Sequence, residues 1–97
     1  MEKTTLCRLH VSIEGRVQGV GFRNFVLTKA DLLGLSGWVR NAGDNQVEVL
    51  AEGEIDQLTT FLEYLRKGPR SSFVMNITQS WGPATGEFQF FDIDHSV

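Results

Sequence analysis

Apolar and polar residues alternate along Leu6–Glu14, and this period of two predicts a β-strand with one buried face. Four further segments have strand-like patterns and are bounded by glycine or polar turn residues: Ser36–Asn41, Gln46–Ala51, Phe73–Gln79 and Phe88–Ile93. The adjacent pair Phe90-Phe91 interrupts the alternation of the last segment and predicts a bulge or a strand with two apolar faces.

Two other segments carry apolar residues at the three- and four-residue spacing of an amphipathic helix. The first is Phe22–Leu33, and Gly34 stands where a left-handed helix cap belongs. The second is Ile55–Lys67, which has acidic residues at its start and basic residues at its end, as suits the helix dipole. Its predicted inward residues are Ile55, Leu58, Phe61, Leu62 and Leu65.

The connections between these elements are short. Ala42–Asn45 predicts a hairpin turn between the second and third strands, and Trp81–Gly86 is expected to be a turn region. Phe73, Met75 and Ile77 alternate along the fourth strand. The resulting order, β-α-β-β-α-β with a last short strand, predicts an α+β ferredoxin-like sandwich with an antiparallel sheet and two helices on one face.

Composition narrows the choice of protein class. A length of 97 residues predicts a single domain over residues 1–97, and a net charge of −3 argues against a nucleic-acid binder. The chain has one cysteine, so neither an internal disulfide nor a cysteine-based zinc site is expected. No signal peptide or membrane-spanning run is apparent, which predicts a cytoplasmic protein, and its small size favours a monomer.

The segment most informative about chemistry is Gly15–Arg23, which has three glycines between the first strand and the first helix. Backbone N–H groups at such a junction lack helical partners and can converge on an anion. Arg23 falls in the first helical turn, from which its guanidinium could bind two oxygens of the same anion. The glycine spacing fits neither the dinucleotide-binding pattern nor the P-loop, because Asn24 replaces the last glycine and no Gly-Lys-Ser/Thr follows.

This segment resembles the first signature of the acylphosphatase family, G-R-V-Q-G-V-x-F-R. A second signature, with Gly, an aromatic residue, Val, a basic residue and Asn, is similar to Gly37–Asn41, and the Val-Glu pair that follows it is similar to Val47-Glu48. Asn45 departs from the family, which usually has glycine there, but asparagine tolerates the left-handed conformation. The resemblance extends over the rest of the chain.

The resemblance implies an enzyme that hydrolyses small acyl phosphates without a metal or cofactor. It implies that Arg23 binds the substrate phosphate and that Asn41 orients the attacking water. The backbone amides of the loop would complete the phosphate site, which the prediction assigns to Val17, Gln18, Gly19, Val20, Gly21, Phe22 and Arg23. The chemistry agrees, because a carboxylate leaves readily and phosphoryl transfer depends mainly on positioning and electrostatic stabilisation.

Two alternatives remain open at this level. A non-catalytic anion-binding or regulatory domain could keep the loop, and a nucleic-acid binder could use its open sheet face. Cys7 is expected to be a core residue and His10 to lie on the polar face. The pattern does not decide whether Trp38 packs under the helices or covers the open sheet, or whether Arg16 contributes to the anion site.

Overall fold

The computed structural model describes residues 5–97, which form five strands and two helices. The elements in chain order are β1 (Leu6–Arg16), α1 (Phe22–Leu32), β2 (Ser36–Ala42), β3 (Gln46–Glu54), α2 (Ile55–Lys67), β4 (Phe73–Pro83) and β5 (Phe91–Ile93). This order confirms the predicted ferredoxin-like α+β fold. Gly34 follows α1 with a φ of 68°, as the left-handed cap requires.

The strands form one sheet in the order β4-β1-β3-β2-β5. Neighbouring strands among β1 to β4 pair antiparallel, but β5 pairs parallel with β2, from Gly37 opposite Phe91 to Val39 opposite Ile93. The sheet is therefore mixed, and the prediction of an antiparallel sheet is correct only for its first four strands. The segment after β4 crosses the sheet before β5 begins, which gives β5 the same direction as β2.

Both helices pack on one face of the sheet. The core contains the inward residues of the central strands, such as Val11, Val39 and Val49, which are fully buried. Residues of the helices complete it: Phe22, Val26, Ala30, Leu58, Phe61, Leu62 and Leu65. Ile55 is 44% exposed rather than inward, because it is the first residue of α2. Cys7 is half-buried and packs against the core, as expected.

A register shift between Glu14 and Gly15 changes the pattern of β4. Gly15 pairs with Val74 while Glu14 pairs with Asn76, so Met75 is an extra residue on β4. Phe73 and Met75 are consequently 65% and 68% exposed, whereas Val74 and Ile77 contact the core. The apparent alternation through Phe73, Met75 and Ile77 thus does not describe one face.

The end of the chain also differs from the prediction. Trp81 to Pro83, expected in a turn, continue β4 and pair with the start of β1 as far as Cys7. Residues 88–90 lie outside the last strand, which is only Phe91–Ile93. The interrupted alternation at Phe90-Phe91 therefore marks the start of β5: Phe91 is buried and Phe90 is 73% exposed.

A buried carboxylate, Glu52, fastens the segment after β4 to the sheet. It is 4% exposed and accepts hydrogen bonds from the backbone N–H groups of Thr85 and Gly86 and from Arg8, whose Nε lies 2.6 Å away. Burial opposes ionisation, but the hydrogen bonds from Thr85, Arg8 and Gly86 outweigh it and lower the pKa of Glu52 to about 2. The carboxylate therefore stabilises the connection that leads to β5.

Glu52→Gln is expected to lower the free energy of unfolding at neutral pH by about 2 kcal/mol, because an amide cannot accept all of these bonds. Folding lowers the pKa of Glu52 from 4.5 to about 2. The ionised carboxylate therefore contributes its full stabilisation above pH 4.5, and this contribution is lost as the pH falls towards about 2. Urea unfolding across this range should show the native and variant proteins converging in acid. Glu87→Gln, at the exposed carboxylate that also pairs with Arg8, is the control and should change stability little. If the free energies of unfolding of the native protein and Glu52→Gln differed by the same amount at all pH values, the stabilising role of the ionised Glu52 would be contradicted.

Candidate active site

The loop between β1 and α1 turns on two glycines with positive φ angles. Gly19 has a φ of 73° and Gly21 a φ of 79°, a left-handed conformation that costs glycine little. Val17 is buried and anchors the loop in the core, and Val20 is half-buried against the same core. The loop is therefore fixed at its apolar residues, while its glycines remain at the surface.

The residue at the N-terminal cap of α1 is a glycine, which has no side chain to bond the first helical N–H groups. Gly21 is the cap residue, and the first helical hydrogen bond runs from the Phe25 N–H to the Gly21 carbonyl at 3.0 Å. The N–H groups of Phe22, Arg23 and Asn24 precede that bond and have no partner within the helix. The first turn contains no acidic residue. This end of α1 is therefore suited to an anion.

A cavity of about 310 Å³ lies at this helix end. It is lined by Val17, Gly19, Gly21, Phe22, Arg23, Asn24 and Ile93. Five of the seven residues predicted for the phosphate site thus meet at one cavity. Gln18 and Val20 do not line it, because Gln18 extends to the β2–β3 turn and Val20 packs on the core.

Arg23 is half-buried at the cavity wall. Within residues 5–97 its guanidinium takes part in no ion pair. This distinguishes it from Arg8 and Arg40, which are both paired with glutamates on the open sheet face. The Arg23 guanidinium is therefore available to an anion in the cavity.

Asn41 lies near the end of β2 and pairs with Val47 of β3. It shares the face of Val39, so its side chain is on the helix side of the sheet. Its Oδ1 atom is buried, and no group in the part of the chain that the structure describes donates a hydrogen bond to it. A buried acceptor without a partner is unusual in a folded protein. Asn41 is not among the cavity-lining residues.

The loop and the end of β2 are joined by hydrogen bonds. Gln18 Nε2 donates to the carbonyl oxygens of Gly43 and Gln46, both at 2.9 Å. The Gly15 N–H donates to the Asn45 carbonyl at 3.0 Å. On the other side of β2, the Val97 N–H donates to the Asn41 carbonyl, also at 3.0 Å. The strand end that carries Asn41 is thus held from two sides.

The sequence did not indicate Ile93 or Asn24 as site residues. Ile93 reaches the cavity because β5 pairs with β2, a long-range contact that no local pattern indicates. Asn24 could have been anticipated, since it follows Arg23 directly in the first turn of α1.

Trp38 lies on the open face of the sheet, which settles its orientation. The Arg40 guanidinium stacks over its ring at 4.4 Å and also pairs with Glu48 at 2.7 Å. His10, on the same face as predicted, contacts the other Glu48 oxygen at 2.6 Å. Burial opposes ionisation of Glu48, but the hydrogen bonds from His10 and Arg40 lower its pKa. This cluster is on the side of the sheet opposite to the helices.

These features define a ferredoxin-like protein with an anion-binding loop at the start of its first helix. The sequence model of the acylphosphatase family matches residues 9–93. The chain belongs to the acylphosphatase family, which places it among the hydrolases of acyl phosphates and confirms the resemblance of its two signatures.

Individual relatives agree with this membership. The chain is 42% identical to an acylphosphatase of Salinibacter ruber over 93 residues, covering 96% of this chain and 98% of the relative. The crystal structure of acylphosphatase from Bacillus subtilis matches with a TM-score of 0.87 and 39% identity, covering 91% and 98% of the two chains. Full-length HypF matches with a TM-score of 0.88 and 28% identity, covering 98% of this chain but 12% of that larger protein. None of the helices in residues 5–97 has the length and hydropathy that crossing a membrane requires.

Proposed function

We propose that this chain hydrolyses small-molecule acyl phosphates, with Arg23 and the loop amides binding the phosphoryl group and Asn41 orienting the water. The observation that carries this proposal is one cavity that holds both a guanidinium with no ion pair among residues 5–97 and a helix start whose cap residue is glycine. The Oδ1 of Asn41, which accepts no hydrogen bond from the residues that the structure describes, supports the second role. The amide contributions of Gln18 and Val20 remain predictions, since neither residue lines the cavity.

The chemistry needs few groups. The water oxygen attacks phosphorus, the bond from phosphorus to the acyl oxygen breaks, and the carboxylate leaves with that electron pair. Because a carboxylate is a stable anion at neutral pH, no strong general acid is needed. Negative charge on the transferring phosphoryl oxygens is stabilised by Arg23 and the N–H groups of the loop. Asn41 can accept a hydrogen bond from the water but cannot take its proton, so that proton passes to a phosphate oxygen.

The test is hydrolysis of benzoyl phosphate by the native chain in the presence of EDTA. Turnover that EDTA leaves unchanged is expected, because positioning and electrostatic stabilisation come from the chain's own groups. Circular dichroism should first establish that the sample is folded. A folded protein that binds inorganic phosphate without turnover would instead support the alternative of a non-catalytic anion-binding domain.

Three other expectations remain predictions from the sequence. They are that residues 1–97 form a single domain, that the protein is monomeric in the cytoplasm, and that it has no nucleic-acid partner.

A further inference from the structure

The side chain of Gln18 turns away from the cavity and crosses to the turn between β2 and β3. Its Nε2 group lies 2.9 Å from the carbonyl oxygens of both Gly43 and Gln46, and 3.5 Å from that of Ala42. An amide nitrogen has two hydrogens, so the two short contacts use both donors. All three of these contacts are with carbonyl oxygens, so the amide nitrogen and not the amide oxygen faces the turn: an oxygen would be repelled in that position.

These acceptors lie in the turn that follows Asn41 and at the start of the next strand. Ala42 is the last residue of β2 and Gln46 is the first residue of β3. The Gln18 side chain of the loop therefore holds both ends of the turn that follows Asn41 at the end of β2. The Gly15 N–H donates to the Asn45 carbonyl and provides a second connection. Because both groups belong to the backbone, a side-chain substitution does not remove this hydrogen bond.

We infer that Gln18 is a positioning residue that sets Asn41 relative to the phosphate loop. The inference rests on the proposed roles of Arg23 and Asn41. In-line attack needs the water at a defined distance from the phosphorus atom, and a displacement of about 1 Å can reduce a rate about a hundredfold. Gln18 acts through the backbone and not through contact with the substrate. It therefore affects the rate of the chemical step more than phosphate binding.

Gln18→Met and Gln18→Glu are the informative variants, with Gln89→Met, at an exposed residue, as the matched control. Methionine keeps the approximate length of the side chain but removes both donors. Glutamate keeps the shape but places a carboxylate against backbone carbonyls. We expect each Gln18 variant to lose about tenfold or more in kcat, with KM and the inhibition constant of inorganic phosphate changing by less than about threefold. The control should retain the native values.

A double-mutant cycle separates positioning from general structural damage. In an Asn41→Ala background, adding Gln18→Met should cost less than about threefold further, because the residue being positioned is already gone. Additive losses, or a weaker affinity for phosphate with kcat unchanged, would overturn the inference.

If Gln18→Met does not fold, Gln18→Glu provides the test: its activity relative to the native protein should recover as the pH falls towards about 4, where a protonated carboxyl regains one donor. No recovery would overturn it.

The two proposals fail in different ways. Full activity in both Arg23→Ala and Asn41→Ala would contradict the proposed site. Loss of activity in those variants but not in the Gln18 variants would contradict only the positioning role.

Discussion

Arg23→Ala is expected to lower kcat/KM for benzoyl phosphate by about a hundredfold or more, the largest effect of any substitution proposed for this chain. The guanidinium is the only arginine side chain at the cavity and carries no ion pair within residues 5–97. Its removal leaves only backbone N–H groups to stabilise the phosphoryl charge. Inorganic phosphate should also inhibit the variant more weakly, because the ground state and the transition state both carry that charge. Steady-state kinetics with phosphate as inhibitor measure both effects.

Two further variants define what Arg23 supplies. Arg23→Lys keeps the charge but loses the paired donors of the guanidinium, so only part of the activity should return. Arg16→Ala removes a second arginine near the same loop, whose side chain is exposed. If Arg16→Ala lost as much activity as Arg23→Ala, general positive potential and not direct contact would explain the result, and the assignment would be wrong.

Asn41→Ala should lower kcat about a hundredfold while KM changes little. The side-chain oxygen receives no hydrogen bond within the described part of the chain, and its proposed partner is the attacking water and not the phosphate. Its removal should therefore slow the chemical step without weakening ground-state binding. The separate measurement of kcat and KM distinguishes this role from that of Arg23.

Asn41→Asp and Asn45→Ala are the comparisons for this prediction. Aspartate keeps an acceptor oxygen but adds a negative charge beside the phosphoryl group, so it should not restore full activity. Asn45 lies in the exposed turn after β2, and its side chain has no proposed role. A large increase in KM for Asn41→Ala, with kcat unchanged, would show that Asn41 binds the substrate and does not orient the water.

Much of the fold follows from local periodicity. The alternation in β1 predicts which of its residues are buried, because one face of this central strand packs on the helices. The extra residue of β4 at Met75 could not be predicted, since it depends on how β4 aligns with β1. The parallel pairing of β5 with β2 also depends on the path of the chain across the sheet, about which a three-residue strand carries little information.

The candidate site likewise has a part that the local sequence predicts and a part that depends on long-range contacts. The glycines and Arg23 were predicted because they are adjacent in sequence and their chemistry is local. The proposed role of Asn41 depends on the resemblance to a family, since nothing local to β2 indicates a water site. The contacts of Gln18 join residues 25 to 28 positions apart, and no spacing within the loop reveals them.

β3 connects two regions that perform separate tasks. Gln46, its first residue, receives the Gln18 hydrogen bond beside the site, and Glu52 holds the Thr85 segment six residues later, about 20 Å along the strand. Effects of substitutions so far apart usually add without interacting. Substitutions at the Glu52 end could therefore raise the thermal stability while the turnover number stays constant. In this small enzyme the usual trade-off between stability and activity could thus be avoided.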